Sequence, residues 1–177
     1  MPKAVQVPRL LKTIQAEMKK ERWRGAISLL KENSSLVDRH WELLWNLGWC
    51  NFKLERFNQA EKYLTKATQI APEKRNYTCQ FGLGMVYLKK KQYRKAERAL
   101  SHVLRIRESY AARLGLALAY LKQGKTEEAE DTHLKGMRLR PKSCQRYEAY
   151  ASFLSDVGRE TESEKINQKA KDLKRLN

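Results

Sequence analysis

Between Trp41 and Lys74 the apolar and small residues fall into two helical patterns with a break at Glu55–Arg56. Leu44, Leu47, Gly48 and Asn51 share one side of a first helix, and Ala60, Leu64 and Ala67 share one side of a second, closed by Pro72. The pattern then repeats along the chain. An alanine follows the mid-unit break at Ala26, Ala60, Ala96 and Ala129, with Ser163 in the fifth place, at intervals of 34, 36, 33 and 34 residues. Gly48, Gly84 and Ala117 stand twelve residues before their alanines, and Asn51, Tyr87 and Tyr120 stand nine before. Pro72 and Pro141 lie twelve after theirs. A period of this length is the mark of a stacked array in which each unit buries its apolar side against its neighbours.

The register resembles the tetratricopeptide repeat, a helix–turn–helix unit. The residues that carry the resemblance are Leu47-Gly48, Ala60, Ala67 and Pro72, then Leu83-Gly84, Tyr87 and Ala96, then Leu116, Tyr120, Ala129 and Pro141. It implies an all-α fold, a right-handed α-solenoid of about five such repeats. The whole chain, 1–177, is expected to be a single array. Its units fall at about 7–40, 41–76, 77–109, 110–143 and 144–177, the last ending in a capping helix with Ile166, Ala170 and Leu173 on one side. The end copies deviate, with Ile14 and Asp38 in the first and Ser163 in the last, as expected of repeats that face water on one side. Extra residues around Lys74-Arg75-Asn76 are expected to lengthen the joint between two units. Asp38 is expected to cap the helix led by Trp41, and turns are expected at Gly124 and Gly158.

The first helices carry a second apolar stripe that their buried side does not use. It runs Trp45, Trp49, Phe52, then Phe81, Met85, Leu88, then Leu114, Leu118, Leu121. A helix with one buried side needs one stripe. The resemblance implies that first helices line a concave surface, so the surplus is expected to form an apolar groove about three units long. Trp45, Trp49, Phe81, Met85, Leu114 and Leu118 would be its contacts, and aromatic residues dominate interface energies. The alternative is that part of the stripe, Phe52, Leu88 and Leu121 above all, packs between neighbouring helices. Lys19, Lys53, Lys89 and Lys122 each stand seven residues before their repeat alanine and are expected to form a row beside the groove. A lysine in the last turn of a helix is also favoured by the dipole alone. The implied partner is a protein or peptide with apolar anchors and acidic flanks. Adaptor domains of this family that clamp a C-terminal carboxylate use a Lys, Asn and Arg set. Here Trp45, Trp49, Phe81, Gly115 and Ala111 hold the corresponding places, so that ligand is not expected. The groove resembles instead the apolar ones of chaperone-type tetratricopeptide proteins.

Charge keeps a competing reading open. The chain carries 37 basic and 20 acidic residues, net +17. Lys89-Lys90-Lys91 and Arg138, Arg140, Lys142 suit phosphate contacts, which makes RNA or DNA an alternative partner. Self-assembly into a homo-oligomer, one copy filling another's groove, is a further alternative. Cys50, Cys79 and Cys144 have neither disulfide nor metal spacing, so a reducing, cytoplasmic location is expected. No signal peptide is read in MPKAVQVPRLLK, and no apolar run is long enough to span a membrane. His40, His102 and His133 are isolated, and Gly82-x-Gly84 lacks the rest of a dinucleotide loop. No enzyme activity, cofactor or metal is expected.

Overall fold

The computed structural model describes residues 3–175, with side chains from Val7 onward. The last two residues of the expected fifth unit, 176 and 177, lie outside the described residues. Eleven helices and no strand occur among the described residues. They belong to two compact units, 1–92 and 93–177.

The first unit holds α1 (Lys3–Lys19), α2 (Trp23–Glu32), α3 (Ser34–Val37), α4 (Trp41–Lys53), α5 (Phe57–Ile70) and α6 (Glu73–Lys89). Helix α1 packs on α2, α4 on α5, and α5 on α6, while α1 also meets α4 and α4 meets α6. The first helix of each pair thus touches the first helix of the next. One core joins Ile14, Ala26, Leu30, Leu43, Leu44 and Leu47, and a second joins Ala60, Leu64, Leu83 and Val86. Close approach at the second depends on glycine. A Cβ on Gly48 would lie 2.6 Å from Leu64 Cγ, and one on Gly82 would lie 2.9 Å from Leu64 Cδ2.

The second unit holds α7 (Tyr93–Ile106), α8 (Tyr110–Leu121), α9 (Thr126–Leu139), α10 (Cys144–Asp156) and α11 (Glu160–Arg175). Consecutive helices pack on one another through the unit. Its core includes Ala129, Tyr150, Phe153 and Leu154, with Tyr120 and Ile166 packed against it. Ile166 and the buried Ala170 give α11 its single apolar side, as a capping helix requires.

The register residue is buried throughout: Ala26, Ala60, Ala96 and Ala129 are fully covered, and Ser163 is 4% exposed. Ser163 stays compatible with burial because its hydroxyl donates to the Ala151 carbonyl at 2.7 Å. Five residues before each of these positions the backbone turns left-handed, at Glu21, Glu55, Lys91, Gly124 and Gly158, with φ between 55° and 78°. At each turn two main-chain bonds close the first helix. At Glu55 they are Glu55 N–H to Phe52 O at 3.0 Å and Arg56 N–H to Asn51 O at 2.9 Å. This pair of bonds is the Schellman cap, and it satisfies carbonyls that the ending helix leaves without partners.

Two local expectations are corrected. Residues Lys74-Arg75-Asn76 do not lengthen the joint. They form the first turn of α6, which starts right after Pro72, because proline's fixed φ and missing N–H suit a helix entry. Asp38 does not cap α4. The N-cap is His40, without a side-chain bond, and the Asp38 carboxylate instead meets Lys66 at 3.3 Å.

Candidate peptide-binding faces

In the first unit, α4 and α6 bring Trp45, Trp49, Phe52 and Phe81 together. The Trp45 and Trp49 rings stack at 5.5 Å with planes 8° apart. Trp49 stacks on Phe52 at 5.0 Å and meets Phe81 at 6.2 Å. Spacing along α4 explains the rank, since residues four and three apart lie one above another on a helix. All four side chains, and Met85 one turn beyond Phe81, are half-buried. Trp45 is the most committed to the scaffold. Its indole N–H donates to the Thr78 carbonyl at 3.1 Å, and its ring packs on both cores of the unit. Trp49 sits mid-rank with rings on three sides. Phe52 also packs into the second core and against Phe57 at 6.0 Å.

In the second unit, Leu114, Leu118 and Leu121 of α8 face Phe153 and Ala149 of α10 across an open trough of about 200 Å³. Leu118 is 43% exposed, whereas Leu121 also packs into the core. His133 of α9 lines the trough, its ring 5.1 Å from Phe153. Burial lowers its pKa to about 4, with Glu130 pulling the other way, so the imidazole is neutral at neutral pH and adds no charge to the wall. Asp156, the last residue of α10, stands at the edge of the trough.

Lys19, Lys53, Lys89 and Lys122 are all exposed. Lys53 reaches back across the first unit, its ammonium 5.5 Å from the centre of the Trp23 ring. Sequence reasoning missed a different charged series. The acid just after the register alanine recurs as Glu61, Glu97 and Glu130, and each is ion-paired to a base in the following turn. Glu61 meets Lys90 at 2.5 Å, Glu97 meets Lys125 at 3.0 Å and Glu130 meets Arg159 at 2.7 Å. Glu130 also accepts from the Tyr150 hydroxyl at 2.6 Å. The signal lay in the register itself, where Glu61, Glu97, Glu130 and Glu164 put an acid at one fixed place in four copies.

Among the described residues no group of three or more His, Cys, Asp or Glu could hold a metal ion. Cys50 and Cys79 are buried, and burial pushes both thiols up to about 12, away from the thiolate that nucleophilic chemistry needs. No described helix is long and apolar enough to cross a membrane.

Comparison with known proteins agrees with the geometry. Two tetratricopeptide repeat profiles match, one over residues 42–109 and the other over 81–143. No curated protein sequence matches the chain significantly. Among solved structures, the segment from residue 41 to the end of MamA from Desulfovibrio magneticus RS-1 superposes with a TM-score of 0.81 at 20% identity, covering 96% of each chain. MamA AMB-1 superposes with a TM-score of 0.76 at 22% identity, over 95% of this chain and 99% of that one. MamA MSR-1 gives 0.73 at 21% identity, over 94% and 95%. At such identities the likeness is one of fold: an all-helical array of sequentially packed helices, a tetratricopeptide-type solenoid. Recurring register, five matching caps and two family profiles converge, and the chain belongs to the tetratricopeptide repeat family.

Proposed function

We propose that this protein is an interaction scaffold that binds an apolar or amphipathic peptide segment along the first helices of its repeats, within a single array over 1–177. Tetratricopeptide repeats in general mediate protein–protein contacts, and the finer reading concerns what is bound. Its main support is the ring rank of α4 and α6: four aromatic side chains joined through Trp49 and each left partly open to solvent. A scaffold gains little from leaving such area wet, because fully burying one large apolar side chain is worth roughly 1.5–3 kcal/mol. Pre-stacked rings lose little freedom when a partner covers them, which favours their use as anchors. Leu114 and Leu118 supply the corresponding apolar face in the second unit. Lys19, Lys53, Lys89 and Lys122 would meet acidic residues flanking the apolar anchors.

The test is a panel of amphipathic peptides scored by the protein's tryptophan fluorescence and by calorimetry. Trp49→Ala and Phe81→Ala should each weaken binding by roughly thirtyfold, about 2 kcal/mol, while the helical spectrum is kept. Equal binding by both variants and the wild type would remove the proposal.

A further inference from the structure

The charge of the third repeat's second helix is not balanced on the helix. Within α7 (Tyr93–Ile106) Arg94, Lys95, Arg98 and Arg105 stand against Glu97 alone, and Glu97 and the nearby Glu108 are both already engaged. Glu108 is held by Arg113 and Arg146. Glu97 accepts from Gln123 at 2.8 Å and from Lys125 at 3.0 Å. Those bonds and the charges of Lys125 and Arg98 hold Glu97 below the usual carboxylate range against its partial burial, so it remains ionised and fixes its two donors in place.

Beside that fixed carboxylate lies an open cleft of about 520 Å³, lined by Arg94, Glu97 and Arg98 of α7 and by Gln123 and Lys125 of the α8–α9 turn. No lining residue is apolar. Arg94 and Arg98 stand one helical turn apart, on the same face and with no ion pair shown for either among the described residues. Like charges at that spacing disfavour a helix. An anion bridging them would reverse that, since a guanidinium binds a carboxylate through two parallel bonds. The cleft is larger than one small ion needs, and its lining includes no aromatic side chain on which a base could stack, whereas stacking is what single-stranded nucleic acid needs in addition to charge.

We infer that the Arg94–Arg98–Lys125 cleft is a second binding site, separate from the apolar faces, and that it takes an acidic peptide segment rich in Glu or Asp. Arg94 and Arg98 grip its carboxylates, and Lys125, held by Glu97, adds a third positive group at the turn.

The test uses the full chain and a fluorescent oligoglutamate peptide, with a labelled oligouridine as the competing polyanion, followed by anisotropy at low and at physiological salt. The double variant Arg94→Gln/Arg98→Gln is set against Lys171→Gln/Lys174→Gln, which removes the same charge from exposed positions on α11. Thermal melts confirm that both fold. The expected result is salt-sensitive peptide binding that the α7 variant weakens about tenfold or more and the α11 variant weakens about twofold or less. Equal loss in both variants would mean that net charge alone attracts the peptide, and the site would be withdrawn. Tighter binding of the oligouridine than of the peptide, or no peptide binding at low salt, would overturn it as well.

Discussion

The indole of Trp45 donates to the Thr78 carbonyl at 3.1 Å, and this bond ties the first helix of one repeat to the first helix of the next. Trp49, one turn later, stacks on the rings of Trp45 and Phe52 and meets that of Phe81. Two tryptophans of one stripe therefore carry different duties. Trp45→Ala should cost about 3 kcal/mol of stability, since it empties a site between two cores. Trp45→Phe should cost about 1 kcal/mol, through the lost bond and lost area. Trp49→Ala should cost less stability than Trp45→Ala and more binding. Urea melts beside peptide titrations of the three variants would show whether the two losses separate.

The left-handed turn position yields a prediction of opposite sign at equivalent places. Glu55 and Lys91 hold φ of 58° and 57°, where Gly124 holds 76°. A side chain in this region costs about 1–2 kcal/mol, while glycine gives back about 0.5–1 kcal/mol through the greater freedom of the unfolded chain. Lys91→Gly and Glu55→Gly should each stabilise by about 0.5 kcal/mol, and Gly124→Ala should destabilise by about 1 kcal/mol. Thermal melts would check this, and a lower melting temperature for both glycine variants would contradict it.

Gly48 is constrained by space. Its added Cβ would sit 2.6 Å from Leu64 Cγ and 3.2 Å from the Leu64 main-chain nitrogen. Leu64 is fully buried and the main chain does not yield. Gly48→Ala should cost about 1–3 kcal/mol by overpacking, and Gly48→Ala with Leu64→Ala should lose less than the sum of the two single changes. A denaturant double-mutant cycle measures that coupling.

Acid should weaken the second unit in two stages. The folded pKa of His133 is about 4 against an ordinary 6.5. Between these values the unfolded chain binds the proton and the folded chain does not, so stability rises with pH across that window and is complete above it. The contribution is at most about 3 kcal/mol. Glu97, Glu108 and Glu130 are lowered by their ion pairs and hydrogen bonds. Their contribution is present above the ordinary carboxylate value of 4.5 and is lost as pH falls below it. His133→Phe should flatten the limb between 4 and 6.5 and leave the lower one, which chemical melts across pH would resolve.

The repeat and its buried faces were legible because solenoid stacking is local. Each small residue at the register place is required by a neighbour close in sequence, so Ala60 and Gly48 announce themselves by period. The turn conformation was readable only at Gly124 and Gly158. Glu21, Glu55 and Lys91 adopt the same backbone without the residue that signals it, because two main-chain bonds impose the cap there. Asp38 misled as a cap because it ends the short helix α3 instead, and its carboxylate meets Lys66. Of the proposed contacts, the ring cluster was foreseeable from spacing within α4. The trough wall made by His133 and Phe153 was not, since it depends on how α9 and α10 meet α8.

Asp156 gives the second unit's trough a direction. It ends α10, where a carboxylate meets the negative end of the helix dipole at a cost of about 0.3–1 kcal/mol. It is exposed at the edge of an apolar trough in a chain of net charge +17. If the trough takes an apolar side chain of a bound peptide, a cationic residue one helical turn away should find Asp156. Paired peptides that differ only by Lys or Glu at that place should differ in affinity by about fivefold or more, roughly 1 kcal/mol, in favour of Lys. Asp156→Asn should remove the difference and also raise the melting temperature slightly, because the unfavourable helix-end charge is gone. Peptide preference that persists unchanged in Asp156→Asn would place the discrimination elsewhere, and loss of binding to both peptides in Leu118→Ala would confirm that they share the trough.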